Sequence, residues 1–204
     1  MERGSDRIVM FDVWSVPSAG VEFELLGHPP DGPTLRLDHE RFAYAGKFVM
    51  DTTGKAVVRD PGSDNPLVGA TAFNPDHDDA SRARIRYVTV REDRRNEGVG
   101  PRLLRFTAET VGERFETVAI AVNNPIAYQA CYRAGFAWTG RKTGLAELHM
   151  RYTPGEADPD RYRAGLAVFD RRDLPDPHRA TVERNRERDP PPTVDTPAGG
   201  STVR

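Results

Sequence analysis

The sequence predicts an α+β domain: a mixed, mostly antiparallel sheet flanked by helices. Three observations predict it. Residues 85–90 alternate β-branched and aromatic side chains as a strand does, and a glycine-bearing loop and a helical pattern follow directly. Residues 118–122, Val-Ala-Ile-Ala-Val, form a continuous apolar run of the kind found in a central strand buried on both faces. Ahead of both, short apolar segments alternate with Pro- and Gly-rich turns, as antiparallel strands do.

In chain order, residues 1–20 carry no firm signal. Val21, Phe23 and Leu25 alternate with Glu22 and Glu24, which makes 21–26 the first strand. Residues 27–33 are turn chemistry. Residues 38–46 read as a short helix capped by Asp38 and stopped at Gly46. Strands at 47–50 and 55–59 flank a hairpin turn at 51–54, and 67–73 is the next strand. After the central strand at 84–90, Leu103, Leu104, Ala108, Val111 and Phe115 share one helical face. The apolar run 118–122 leads to a second helix, with Asn124 as N-cap, Pro125 at its first position and Gly135 as its stop. Residues 137–140 and 145–152 read as closing strands joined by a turn at 141–144. A linker at 153–160 precedes two short helices at 161–169 and 177–188. The residues from 189 to 204 form a Pro/Gly/Thr tail too poor in apolar groups to order itself. The expected organisation is an unassigned segment 1–20, a domain 21–153, a helical extension 154–188 and a disordered tail 189–204.

Composition bounds the function. The chain has 204 residues, enough for one sizeable core with appendages, and 37% of them are hydrophobic. A mean hydropathy of -0.63 fits a chain with solvated parts. The net charge of -2 argues against a general nucleic-acid or membrane-surface binder. Cys131 is the only cysteine, which excludes an internal disulfide and fits a reducing compartment. The apolar stretch at 8–11 is interrupted by Asp12 and is too short for a signal-peptide core, so the expected compartment is the cytoplasm. His28, His39, His77, His149 and His178 show no paired ligand spacing, and no metal is expected.

The loop Arg95-Asn96-Glu97-Gly98-Val99-Gly100 between strand and helix has the order of a phosphate site. A helix start aims unpaired backbone N–H groups and the positive end of its dipole at an anion. Gly98 and Gly100 let that anion approach the backbone, and Pro101 loses nothing in the first turn. With the strand at 118–122 and the pattern Asn124, Ala127, Gly135, Phe136 that follows, residues 90–136 resemble the acetyl-CoA core of the GNAT superfamily of N-acyltransferases. The resemblance rests on Val90, Arg95, Gly98 and Gly100 at the family's spacing, and extends more loosely over 21–152.

The resemblance implies the GNAT fold, with its two central strands splayed apart, and direct transfer of an acetyl group from acetyl-CoA to an amine. The acceptor is then a small molecule or a peptide, and a homodimer is left open. Residues 95–100 would bind the pyrophosphate. Arg95 and Arg102 either add charged contacts or lie on a solvated face. Val88 and Val90 sit where the splayed strand would pair with the pantetheine arm, and Asn124 can face that arm. The family places a tyrosine seven residues after the motif asparagine to protonate the departing thiolate; here that slot holds Cys131, with Tyr132 beside it. Either the Cys131 thiol donates, or Tyr132 reaches round, or no side chain is needed and Cys131 is a small core residue. The base for the amine is open among Glu92, Glu147 and His149. The two helices usual between the family's first two strands have no room here, so the acceptor side is either open or unusually built. The missing tyrosine also admits a reading from another class, a module that binds acyl-CoA without catalysis.

Overall fold

The computed structural model describes residues 20–144, 146–156, 158–197 and 199–200. The unassigned N-terminal segment, apart from Gly20, lies outside the described residues, as do 201–204. The chain runs β1 (Glu22–Gly27), β2 (Gly54–Arg59), β3 (Leu67–Pro75), β4 (Arg82–Val90), α1 (Val99–Gly112), β5 (Thr117–Val122), α2 (Pro125–Arg133), β6 (Phe136–Lys142), β7 (Leu148–Tyr152), α3 (Pro159–Asp170), α4 (Asp176–Arg186) and β8 (Gly199–Gly200). The strands form one sheet in the order β6-β7-β5-β4-β3-β2-β1-β8. Its pairs are antiparallel except β4 with β5 and β1 with β8.

The parallel pair is short, and that positions the site. β4 and β5 pair only from Arg82 opposite Thr117 to Ile85 opposite Ile120. Beyond that point β4 stays with β3 as far as Val90 opposite Gly69, while β5 continues beside β7. The sheet therefore opens between β4 and β5 along residues 86–90, the splay expected at Val88 and Val90.

One face of the sheet is sealed by α1. Leu103, Leu104, Ala108 and Val111 are fully buried against Val58, Ile85 and Ile120. Burying each large aliphatic chain contributes about 1.5–3 kcal/mol. The helix ends at Gly112, so Phe115 lies beyond it, yet it still packs on this core. A smaller cluster covers the other face over β2 and β3: Phe48 packs there on Val57, Ala70 and Ala72, with Leu35, Leu37 and Tyr87 at its margin.

Between β1 and β2 the structure corrects two expectations. Asp38 starts only one turn, its carbonyl accepting from the Phe42 N–H at 2.9 Å. Tyr44 then takes a left-handed conformation (φ 60°), which breaks the helix and leaves a 3-10 turn at Ala45–Lys47. Residues 47–50 are no strand either: Phe48 is a buried plug, and its carbonyl accepts from Leu35 N–H at 3.0 Å.

The helices after β7 share the main core. Tyr162, Leu166 and Phe169 of α3 and Val182 of α4 are buried in the same cluster as α1 and the sheet. Tyr128 of α2 stacks on Tyr162 with ring centroids 5.5 Å apart. Gly165 is required by this contact, because a Cβ there would lie 2.1 Å from the Tyr128 hydroxyl.

The tail also differs from the expectation of disorder. Val194 N–H donates to Arg133 O at 2.7 Å, Arg105 donates to Val194 O at 2.7 Å, and Thr196 donates to Glu109 at 2.8 Å. β8 pairs with the edge of β1. A segment too polar to make its own core can still dock through hydrogen bonds on a folded surface, and an otherwise bare edge strand offers a row of them. No helix among the described residues is long and apolar enough to cross a membrane.

Candidate active site

A cavity of about 570 Å³ opens where the sheet splits. Its walls are the end of β4 (Val88, Thr89, Val90), the loop with Arg94, Arg95, Asn96 and Gly98, the start of α1 and one face of α2. That volume suits a small-molecule site.

The loop is shaped by its backbone. Asn96 (φ 68°) and Gly98 (φ 75°) are both left-handed, and Gly98 caps α1 without a side-chain hydrogen bond. The first N–H groups of α1 are thus left for a ligand. Gly100 also lines the cavity, and a Cβ there would meet Val90 at 3.7 Å. At the start of α2, the Asn124 side chain accepts from Ala127 N–H at 2.8 Å, as its N-cap reading requires, and it too lines the cavity.

Of the expected cofactor-binding residues, Val88, Val90, Arg95, Asn96, Gly98, Gly100 and Asn124 are brought together here. Three are not. Val99 is buried in the core. The Glu97 carboxylate accepts from Arg94 at 2.8 Å. The Arg102 guanidinium lies 5.6 Å over the Phe23 ring, away from the loop. Arg95 remains half exposed, 3.9 Å from Glu92, with its Nε 3.4 Å from Val90 O.

Cys131 and Tyr132 lie off the cavity wall. Cys131 is wholly buried, and burial raises its thiol pKa well above the ordinary value. Tyr132 is 6% exposed, its ring 4.4 Å from that of Tyr162, and burial raises its hydroxyl as well. Helix geometry explains the difference. At about 100° per residue, Cys131 sits only about 40° from Ala127, and that step crosses from the cavity wall into the core. Glu147 bonds Thr143 at 3.2 Å and Glu92 is exposed, neither of them on the cavity wall.

Three cavity residues were not among those expected from the sequence. Arg133, on the last turn of α2, is partly buried and reaches within 4.0 Å of where a Cβ on Gly98 would lie. Burial lowers its pKa, so its charge is held at a desolvation cost that a bound anion would offset. The Thr89 hydroxyl is buried with no hydrogen-bond partner among the described residues. His178 comes from α4, which Asn185 ties to α2 through Gln129 at 2.9 Å. Arg133 could have been suspected from its helical position facing the loop; His178 could not, because only tertiary packing brings it there. Arg94 is charge-compensated, donating to Asp60 and Glu97 at 2.8 Å each. No group of three or more His, Cys, Asp or Glu that could hold a metal occurs among the described residues.

The profile of the Acetyltransferase (GNAT) family matches residues 23–136. No curated protein matches the chain. Among solved structures it is similar to a nourseothricin acetyltransferase, at 23% identity over 48% of this chain and 64% of that one (TM-score 0.41). It is similar to a histone acetyltransferase and related acetyltransferase from Corynebacterium glutamicum, at 22% over 50% and 65% (TM-score 0.39). A third is the PaiA N-acetyltransferase of Thermoplasma acidophilum in complex with coenzyme A, at 16% over 48% and 59% (TM-score 0.39). The chain thus spans less than two thirds of the length of each of these three proteins. The family match takes in β1 to β5, the glycine loop and both helices of the cavity, more than half of the sequence, and on it the chain belongs to the GNAT acetyltransferase family.

Proposed function

We propose that the protein is an N-acetyltransferase that moves the acetyl group of acetyl-CoA to an amine by direct attack, without a metal. The observation that carries this reading is the coincidence of the sheet split with the glycine loop in one cavity. Along residues 86–90 the β5 side of β4 keeps backbone groups for the amides of a pantetheine arm. The start of α1, with Arg95 and Arg133 beside it, receives the pyrophosphate. A thiolate is a fair leaving group at neutral pH, with a reference pKa of about 8.5, so water can protonate it where α2 offers no hydroxyl. The single, buried and reduced Cys131 fits a cytoplasmic setting.

Titration calorimetry with acetyl-CoA, together with thiol release over a panel of amines, tests the reading. Micromolar binding and amine-dependent release of CoA are expected. A second reading, an acyl-CoA-binding module without turnover, is favoured by one observation: neither Cys131 nor Tyr132 lines the cavity. Binding with no thiol release over any amine would select it.

A further inference from the structure

Beside the sheet split, the face opposite α1 carries a group of side chains that the cofactor cavity does not use. Register fixes which they are. Arg84 on β4 lies opposite Ala119 on β5, which lies opposite Arg151 on β7; Ala121 lies opposite His149. Val118 and Ile120 point into the α1 core, so their neighbours Ala119 and Ala121 point the other way. Ala119 is fully buried in the paired part of the sheet, so the open floor of this trough is Ala121, where the split begins, with Arg84 on one side and His149 and Arg151 on the other. The apolar cover of this face ends at Tyr87.

The trough is basic. Arg82 and Arg84 hold the buried Asp76 at 3.6 and 2.5 Å, and Arg82 also holds Asp79 at 3.0 Å. Arg86 reaches only the neutral Asn74, at 2.7 Å. Arg86, Arg141 and Arg151 are exposed and face no carboxylate among the described residues. His149 sits within this field. The Thr139 hydroxyl donates to His149 O at 3.0 Å, so its oxygen accepts from Nδ1–H at 3.1 Å, which leaves the lone pair on Nε2.

We infer that this trough is the acceptor site, that it takes an amine carrying a carboxylate, and that His149 is the base that deprotonates it. The inference rests on the transferase reading above. The substrate ammonium gives one proton to His149 Nε2. Its freed lone pair attacks the thioester carbonyl through the split, forming the C–N bond. The C–S bond then breaks, and the second nitrogen proton passes to the departing CoA thiolate. Excess arginine charge attracts the carboxylate and repels amines that lack one. The groups facing His149 are Arg82 and Arg84 from β4, Asp76 beyond β3 and Arg141 from β6, while β5 offers only alanines. Burial first, then these arginines against Asp76, hold the imidazole below its ordinary value of 6.5, so it is neutral and able to accept a proton at pH 7.

Steady-state transfer from acetyl-CoA to amino acids and to their methyl esters tests this on the full chain. The ester amine is the less basic of each pair, so bare reactivity would favour the ester. We expect the acid to win by at least about tenfold in kcat/KM, the scale of one charge-assisted hydrogen bond. Arg86→Gln should raise KM for the acid and leave the ester unchanged. His149→Gln should lower kcat about 10²-fold, remove the acid limb of the pH profile and leave calorimetric CoA affinity intact. Amine acetylation with no preference for the acid, or a His149→Gln enzyme with unchanged kcat and pH profile, overturns the inference while the transferase stands. Failure of the wild-type protein to bind acetyl-CoA or acetylate any amine overturns the transferase reading and the inference with it.

Discussion

Helix α2 turns Ala127, Ala130 and Arg133 to the cavity and Tyr128, Cys131 and Tyr132 to the core beneath α3. The cavity side sets two small side chains and one partly desolvated cation against the opening, flanked by Ile126 and Gln129, which leaves room for a ligand and charge to meet it. The core side is built of stacked tyrosines whose hydroxyls serve packing; Tyr128 donates to Tyr162 O at 3.1 Å. A tyrosine on this helix is therefore no evidence of an acid, and the chemistry proposed above draws on the loop, on β4 and on the far face of the sheet.

Substitutions on the two sides of α2 should differ in size and kind. Gly98→Asp, on the cavity side, should reduce acetyl-CoA affinity most, by about 10²-fold or more, because it removes a charge-assisted contact and adds a like charge to the ligand's. The left-handed φ of 75° resists the new side chain, and its carboxylate would meet Arg133 in place of phosphate. Calorimetry on the folded variant measures this, and unchanged affinity would break the distinction between the faces. On the core side, Gly165→Ala forces a Cβ against a Tyr128 ring hemmed in by Tyr162 and Phe169. It should cost about 1–3 kcal/mol, or about 2–4 °C of melting temperature per kcal/mol. Truncation after Asp189 removes the bonds of Val194 and Thr196 to α1 and α2 and should lower the melting temperature by a few degrees, with each net hydrogen bond worth about 1 kcal/mol. Cys131→Ala should change kcat least, by less than about twofold, since general acid help of 10² or more requires a proton within reach. A larger fall in kcat at constant CoA affinity would place the thiol in the reaction after all.

Local patterns made most of this architecture legible. Alternation at Val21, Phe23 and Leu25, the glycine loop and the Asn124 cap each reflect forces acting within a few residues, and β1, α1 and α2 lie where those forces put them. The short stretch from Asp38 to Met50 misled because its apolar residues serve tertiary contacts: Phe48 plugs the second cluster instead of pairing in the sheet. Cys131 misled because an offset of about 40° from Ala127 divides cavity from core, finer than a helical wheel resolves without knowing what lies on each side. Thr89 and His178 were invisible since nothing near them in sequence reports the wall they join. The tail was read from composition, which measures what a segment can bury alone and says nothing of a surface already folded beside it.

A structure of the protein with bound CoA is the decisive measurement for the proposed cofactor site. The pyrophosphate is expected on the N–H groups at the start of α1, beside Arg133, and the pantetheine amides paired with residues 86–90 of β4. The thiol should sit at the vertex of the split near Ile85, open to the trough of His149, with no contact to Cys131 or Tyr132. CoA found outside the cavity, or an arm that leaves β4 unpaired and runs against Cys131, would contradict it.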